Sequence, residues 1–216
     1  MMTPNLTIEV YFDLICPWCL IGKRNLSTAL QQFRASRPDL QPRIVWRGLP
    51  LLPATPLAGE PYQEFYVRRL GSPAAVAARR AQVREAGQRA GVDFAFEDIT
   101  VMPNTLAAHA LVELVAGQGD TAPTERLIEA LFQAYFMAAR DIGDAAVLLD
   151  IAGECGLTIS LQQLVSASST ARPANAAVHV SGVPYYVFND RFALSGAQPP
   201  ATLCEAMQRS VDELVS

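Results

Sequence analysis

Apolar and polar residues alternate at Ile8-Glu9-Val10-Tyr11-Phe12, a period of two that predicts a strand. The period then lengthens to that of a helix, with Ile21, Leu26, Leu30 and Phe33 on one stripe between Leu20 and Phe33. A second strand-like run follows at Arg43-Ile44-Val45-Trp46-Arg47, so the chain opens as β-α-β, with a right-handed crossover if the strands are parallel. The prolines at 50, 53 and 56 then forbid regular structure over Gly48–Pro56 and mark a loop. From about Pro61 to Ala171 the pattern is helical, with little strand signal.

Within that helical block, Asn104 is a candidate cap for a helix bearing Leu106, Ala110, Leu111 and Leu114 and ending near Gly117. Thr121 and Pro123 start another, bearing Leu127, Leu131 and Tyr135 and ending near Gly143. Asp144 caps a third, with Val147, Leu148, Ile151, Ala152 and Cys155 on its stripe, and Gly156 stops it. Strand signal returns at Val183–Phe188 and Arg191–Ser195 around an Asn189-Asp190 turn, which is a hairpin. Pro199 and Pro200 open a last helix that turns Leu203, Met207, Val211 and Leu214 inward. A β-α-β beginning and a β-β-α ending around a block of helices predict one α/β sheet domain, residues 1–50 and 174–216, interrupted by a helical insertion, residues 51–173.

A chain of 216 residues that is 50% hydrophobic can bury a proper core. Its formal charge of −4, from 17 basic and 21 acidic residues without a basic block, argues against nucleic acid and membrane surfaces as partners. The first residues lack the features of a secretory signal, which makes the cytosol the expected compartment. Of four cysteines, only Cys16 and Cys19 are closely spaced, and a lone C-x-x-C near β and α signals in a reducing compartment reads as redox-active.

That pair, Cys16-Pro17-Trp18-Cys19, sits between the first strand and the first helix. A thiolate at Cys16 would face unpaired N–H groups and the positive helix end, so Cys16 is expected to be the exposed nucleophile and Cys19 the buried resolving thiol. The competing reading, a zinc site, lacks a second paired spacing among Cys155, Cys204, His109 and His179. Each pKa unit of thiolate stabilisation is worth about 1.4 kcal/mol, or about 30 mV for a two-electron couple. Trp18 brings no positive charge, so the potential is expected toward the reducing side, with Trp18 itself at the surface beside the substrate. Asp13 reads either as a group tuning the thiols' protons or as an exposed loop carboxylate. Cys155 is expected to be buried and Cys204 partly buried.

The chain resembles the thioredoxin superfamily, and within it DsbA-like proteins of the FrnE type. The resemblance rests on Phe12–Gly22 around the cysteines, Val45-Trp46-Arg47, Asn104-Thr105 with Ala108-His109, Leu131–Phe136 with Arg140-Asp141-Ile142, and Gly182–Asn189 with Ser195–Gln198. It implies a thioredoxin fold with a central mixed β-sheet and an inserted all-helical domain, and a dithiol-disulfide oxidoreductase or isomerase working through Cys16 and Cys19. It implies that Pro184 is cis and beside the cysteine pair, and that the Val183 backbone pairs with an extended substrate. Pro17, Trp18, Asn104 and His109 follow as candidate substrate-contacting residues, although His109 in its apolar helical setting also reads as a satisfied structural histidine. No cofactor is implied beyond glutathione as reductant or ligand, and the partners would be disulfide-containing proteins, peptides or small thiols. His179 stands where such proteins usually carry glycine, and a helix is expected to start at Pro173. The kappa-like glutathione-dependent isomerases and transferases are the alternative; they commonly have serine at the place of Cys16, and Cys19 argues against them.

Overall fold

The computed structural model describes residues 6–170, 180 and 182–215. The expectations at Pro173 and His179, and the inward side chain of Leu214, lie outside the described residues. The chain divides into two compact units, one of Met1–Phe12, Trp18–Leu49 and Ala174–Ser216, the other of Asp13–Pro17 and Pro50–Pro173.

The first unit is built on a four-stranded mixed sheet in the order β2-β1-β5-β6, with β1 at Thr7–Phe12, β2 at Arg43–Gly48, β5 at Tyr185–Phe188 and β6 at Phe192–Ser195. β1 pairs parallel with β2, Val10 facing Trp46, and antiparallel with β5, Val10 facing Tyr186; β5 and β6 form the antiparallel hairpin. Three residues, Asn189 to Arg191, close that hairpin: Asn189 and Asp190 take φ of 49° and 55°, left-handed values that these side chains tolerate, and Arg191 N donates to Phe188 O at 3.0 Å. Asn189 also accepts from Thr7 N at 2.8 Å through its side chain, which pins the turn to the start of β1.

Helix α1, Pro17–Ser36, and helix α8, Pro200–Val215, supply the rest of this unit's core. Leu26, Ala29, Leu30 and Phe33 of α1 and Leu203, Ala206, Met207 and Val211 of α8 cluster with Ile8, Val10, Ile44, Tyr186 and Phe188 of the sheet. Burying side chains of this size stabilises the fold by roughly 1.5–3 kcal/mol each before conformational entropy is set against it.

The second unit holds α2 (Tyr62–Leu70), α3 (Pro73–Arg89), α4 (Leu106–Ala116), α5 (Thr121–Phe136), α6 (Ala145–Glu154) and α7 (Leu161–Thr170). It also holds a short antiparallel ladder of β3, Glu60–Pro61, against β4, Val101–Met102, which the helical pattern did not foreshadow because two residues carry no period. Leu111 of α4, Leu127, Ile128 and Leu131 of α5, Leu148 and Ile151 of α6 and Leu164 of α7 are buried. The helix expected to end near Gly143 stops at Phe136 instead: Ala138 N and Arg140 N turn back to Gln133 O and Ala134 O, and Ala139 takes φ 52°. No glycine marks that stop, so nothing in the pattern announced it. Helix α6 begins as expected, with Asp144 accepting from Ala146 N and Val147 N at 2.6 and 3.3 Å, and Gly156 follows it at φ 75°. Cys155 closes α6 half-buried, not fully buried on its stripe, and Cys204 is half-buried too. No helix among the described residues is long and apolar enough to cross a membrane.

Candidate active site

The turn that carries the first cysteine is built by Asp13. The Cys16 N–H donates to Asp13 O at 3.1 Å, so Asp13-Leu14-Ile15-Cys16 folds back on itself immediately after β1. Pro17 then starts α1: its fixed φ suits the first helical position and its missing N–H removes a donor that would have no helical partner there. Cys16 therefore directly precedes the N-terminus of a 20-residue helix, and Cys19 stands in its first turn.

Both cysteines are carried as thiols, with exposures of 7% at Cys16 and 2% at Cys19. Both are buried, so the expectation of an exposed Cys16 is not met. Cys16 lines an open cavity of about 120 Å³ within the second unit, walled by Ile15, Leu51, Leu52, Phe65 and Met102. Pro17, Tyr66 and Arg69 complete the lining.

The fully buried Asp13 carboxylate excludes the exposed-loop reading. Its Oδ2 accepts from Leu51 N at 2.7 Å, and its Oδ1 accepts from His109 Nε2 at 3.0 Å. A carboxylate only accepts, so Nε2 of His109 carries the proton in this bond. Asp13 thus ties the cysteine turn to the 51–52 segment of the cavity wall and to α4 at once. His109 is 4% exposed, buried as a structural histidine on an apolar helix would be, with its Nε2 held by Asp13. Asn104, 5% exposed, donates to Thr55 O at 2.6 Å and accepts from Leu106 N at 3.0 Å, holding the loop at 55 against the start of α4. Neither Asn104 nor His109 is among the residues lining the cavity.

On the cavity wall, burial pushes the Tyr66 hydroxyl above its ordinary value of 10.0, and charge on Cys16 pushes it further the same way, against Tyr62, Arg69 and Arg80. Burial likewise raises Tyr62, whose ring meets that of Tyr66 edge-on at 4.9 Å. Tyr66 therefore stays a neutral O–H near the sulfur. Pattern reasoning passed over Tyr66 and Arg69, since their link to Cys16 is spatial; the available signals were a polar Asp13 between Phe12 and Leu14, and a polar His109 inside an apolar helix.

Within the first unit, Trp18 is half-buried, Val183 is half-buried and Pro184 is buried. The Val183-Pro184 bond is cis, as the resemblance implied. Pro184 O accepts from Gly196 N at 2.8 Å. A Cβ added at Gly22, three residues beyond Cys19, would lie 3.0 Å from Pro184 Cγ and collide with the Tyr186 hydroxyl, so Pro184 and Tyr186 pack directly on the early part of α1.

Comparison with known proteins extends the picture over the whole chain. The family model described as a DSBA-like thioredoxin domain matches residues 7–208. No curated protein matches. Among solved structures, the chain is similar to a probable DsbA oxidoreductase from Streptomyces coelicolor, at 22% identity and a TM-score of 0.80 over 97% of this chain and 91% of that one. It is also similar to the cytosolic disulfide reductase DsbM from Pseudomonas aeruginosa, solved with GSH, at 16% identity and a TM-score of 0.63 over 95% and 99% of the two chains. A third likeness is to 2-hydroxychromene-2-carboxylate isomerase, at 15% identity and a TM-score of 0.62 over 97% and 98%.

Proposed function

The chain belongs to the DSBA-like thioredoxin domain family, and on that footing we propose that it is a thiol-disulfide oxidoreductase of the FrnE type that works as a reductase or isomerase through Cys16 and Cys19. One observation carries this reading: Cys16 opens on a cavity directly before the N-terminus of α1, and a second thiol stands three residues on in the same helix. A helix N-terminus favours negative charge, which supports Cys16 as the attacking thiolate.

In the reducing direction the Cys16 thiolate attacks one sulfur of a substrate disulfide, forms a mixed disulfide and releases the other sulfur as a thiolate that takes up a proton. Cys19, losing its proton, then attacks the Cys16 sulfur and releases the second substrate thiol. The substrate gains two electrons and the dithiol loses them as the Cys16–Cys19 disulfide, which an external thiol such as glutathione reduces again. We assign Pro17 and Trp18 to contacts with the substrate, and Val183 and Pro184 to holding an extended peptide by strand addition. The cytosol is the proposed compartment, supported by the lone C-x-x-C and by the likeness to a cytosolic disulfide reductase.

Insulin precipitation with dithiothreitol tests the reading: the protein is expected to accelerate it and the Cys16→Ser variant to lose the acceleration. Unchanged activity in that variant would sink the proposal. The fold is shared with 2-hydroxychromene-2-carboxylate isomerase, so a glutathione-dependent isomerase or transferase is the second reading. The two separate at Cys19, because such an isomerase needs no dithiol: a Cys19→Ala variant that still turns over an aromatic substrate with glutathione favours the second.

A further inference from the structure

The cavity at Cys16 has one charged side chain in its lining, Arg69. A second, small cavity of the same unit, about 30 Å³, shares Pro17 and Tyr66 with the first, and its charged lining residues are Arg79 and Arg80. Every charged group along these adjoining cavities is therefore positive, in a chain of net charge −4. The nearby cations already have partners: Arg68 pairs with Glu60, Arg84 pairs with Glu97, and Arg80 reaches Gln63 at 2.8 Å and Glu97 at 4.0 Å. Arg69 carries no ion pair among the described residues and lies 6.0 Å from the Phe65 ring centre. The acid nearest the cysteine turn, Asp13, is fully buried and occupied by Leu51 N and His109. Cys16, 7% exposed as a residue, lines a mostly apolar cavity, which suits a narrow substrate, and the cation in the same lining favours one that is negatively charged.

We infer that the substrate class of this site is small disulfides bearing a carboxylate, and that Arg69 is the side chain that selects them. The inference rests on the thiol-disulfide exchange proposed above. The carboxylate accepts from the Arg69 guanidinium while one substrate sulfur is attacked by Cys16; the exchange consumes one disulfide and the protein's dithiol and yields two small thiols and the Cys16–Cys19 disulfide, so no further reductant is needed for a single turnover.

Three disulfides with the same two-carbon arms separate charge from shape: dithiodipropionate, dithiodiethanol and cystamine, which end in carboxylates, hydroxyls and ammonium groups. Prereduced protein is mixed with each in excess, the loss of its thiols is followed, and each rate constant is divided by that of free dithiothreitol with the same disulfide. The order expected is dithiodipropionate, dithiodiethanol, cystamine, with about tenfold or more between the ends, narrowing as salt is added. Arg69→Gln is expected to erase that spread and Arg69→Lys to keep most of it; Arg69 is exposed, so neither change disturbs the core. A wild-type order equal to that of dithiothreitol, or a spread unchanged in Arg69→Gln, overturns the inference. So does a protein that reduces insulin but none of the three, which leaves the exchange activity standing. A protein inert toward insulin and all three loses both.

Discussion

Asp13 joins three parts of the site through one side chain and its own carbonyl: the Cys16 amide, the Leu51 amide and His109. Removing the carboxylate strands a buried backbone N–H and an imidazole N–H together, at about 1–3 kcal/mol each, so Asp13→Ala is expected to lower the urea midpoint with an unchanged slope. Asp13→Asn keeps an acceptor for Leu51 N and is expected to lose less than half of that. At the sulfurs the roles are separable by their products. Cys16→Ser is expected to form no covalent adduct, whereas Cys19→Ser accumulates a stable mixed disulfide with substrate, seen as a mass increase that dithiothreitol reverses.

Helix α1 is placed by a glycine as much as by its apolar stripe. Tyr186 is fully buried and Pro184 follows a cis bond at the head of β5, and both rest where a Cβ of Gly22 would be. Gly22→Ala raises helix propensity yet overpacks this contact, so a net loss of about 1–3 kcal/mol is expected in a denaturant melt. A net gain would show that α1 moves off the sheet at little cost. At the start of α6, Asp144 satisfies two backbone donors, and Asp144→Ala is expected to cost about 1 kcal/mol. The caps at α6 were legible because side-chain oxygen at a helix start is a local signal. The stop of α5 at Phe136 and the β3–β4 ladder were not, because both are held by backbone bonds between residues whose types do not demand them.

Across the molecule, three tyrosines of the second unit are held above their ordinary value, Tyr62, Tyr66 and Tyr135, in each case first by burial. An unfolded tyrosine ionises near pH 10, so above about that pH the folded state binds more protons than the unfolded one. Stability is therefore expected to be complete below about pH 10 and to fall as pH rises beyond it. Absorbance of tyrosinate during an alkaline titration checks this: these three should ionise only together with the loss of helical circular dichroism, and early ionisation without unfolding would contradict their burial.

The four strands of the central sheet, the helix bearing the cysteines, the proline-rich loop, the helical block and the closing hairpin were readable in the order of residues, because each rests on a short-range period, cap or turn within a few positions. The dithiol was readable for the same reason: both sulfurs and the helix start lie within four residues. Other matters required the folded chain: that Cys16 is buried against apolar cavity walls, that a carboxylate at 13 meets an imidazole 96 positions away, and that Arg69 lines the same cavity as Cys16. Those relations join residues far apart in sequence, and packing and hydrogen bonding between distant segments decide them, a kind of information that no local periodicity contains.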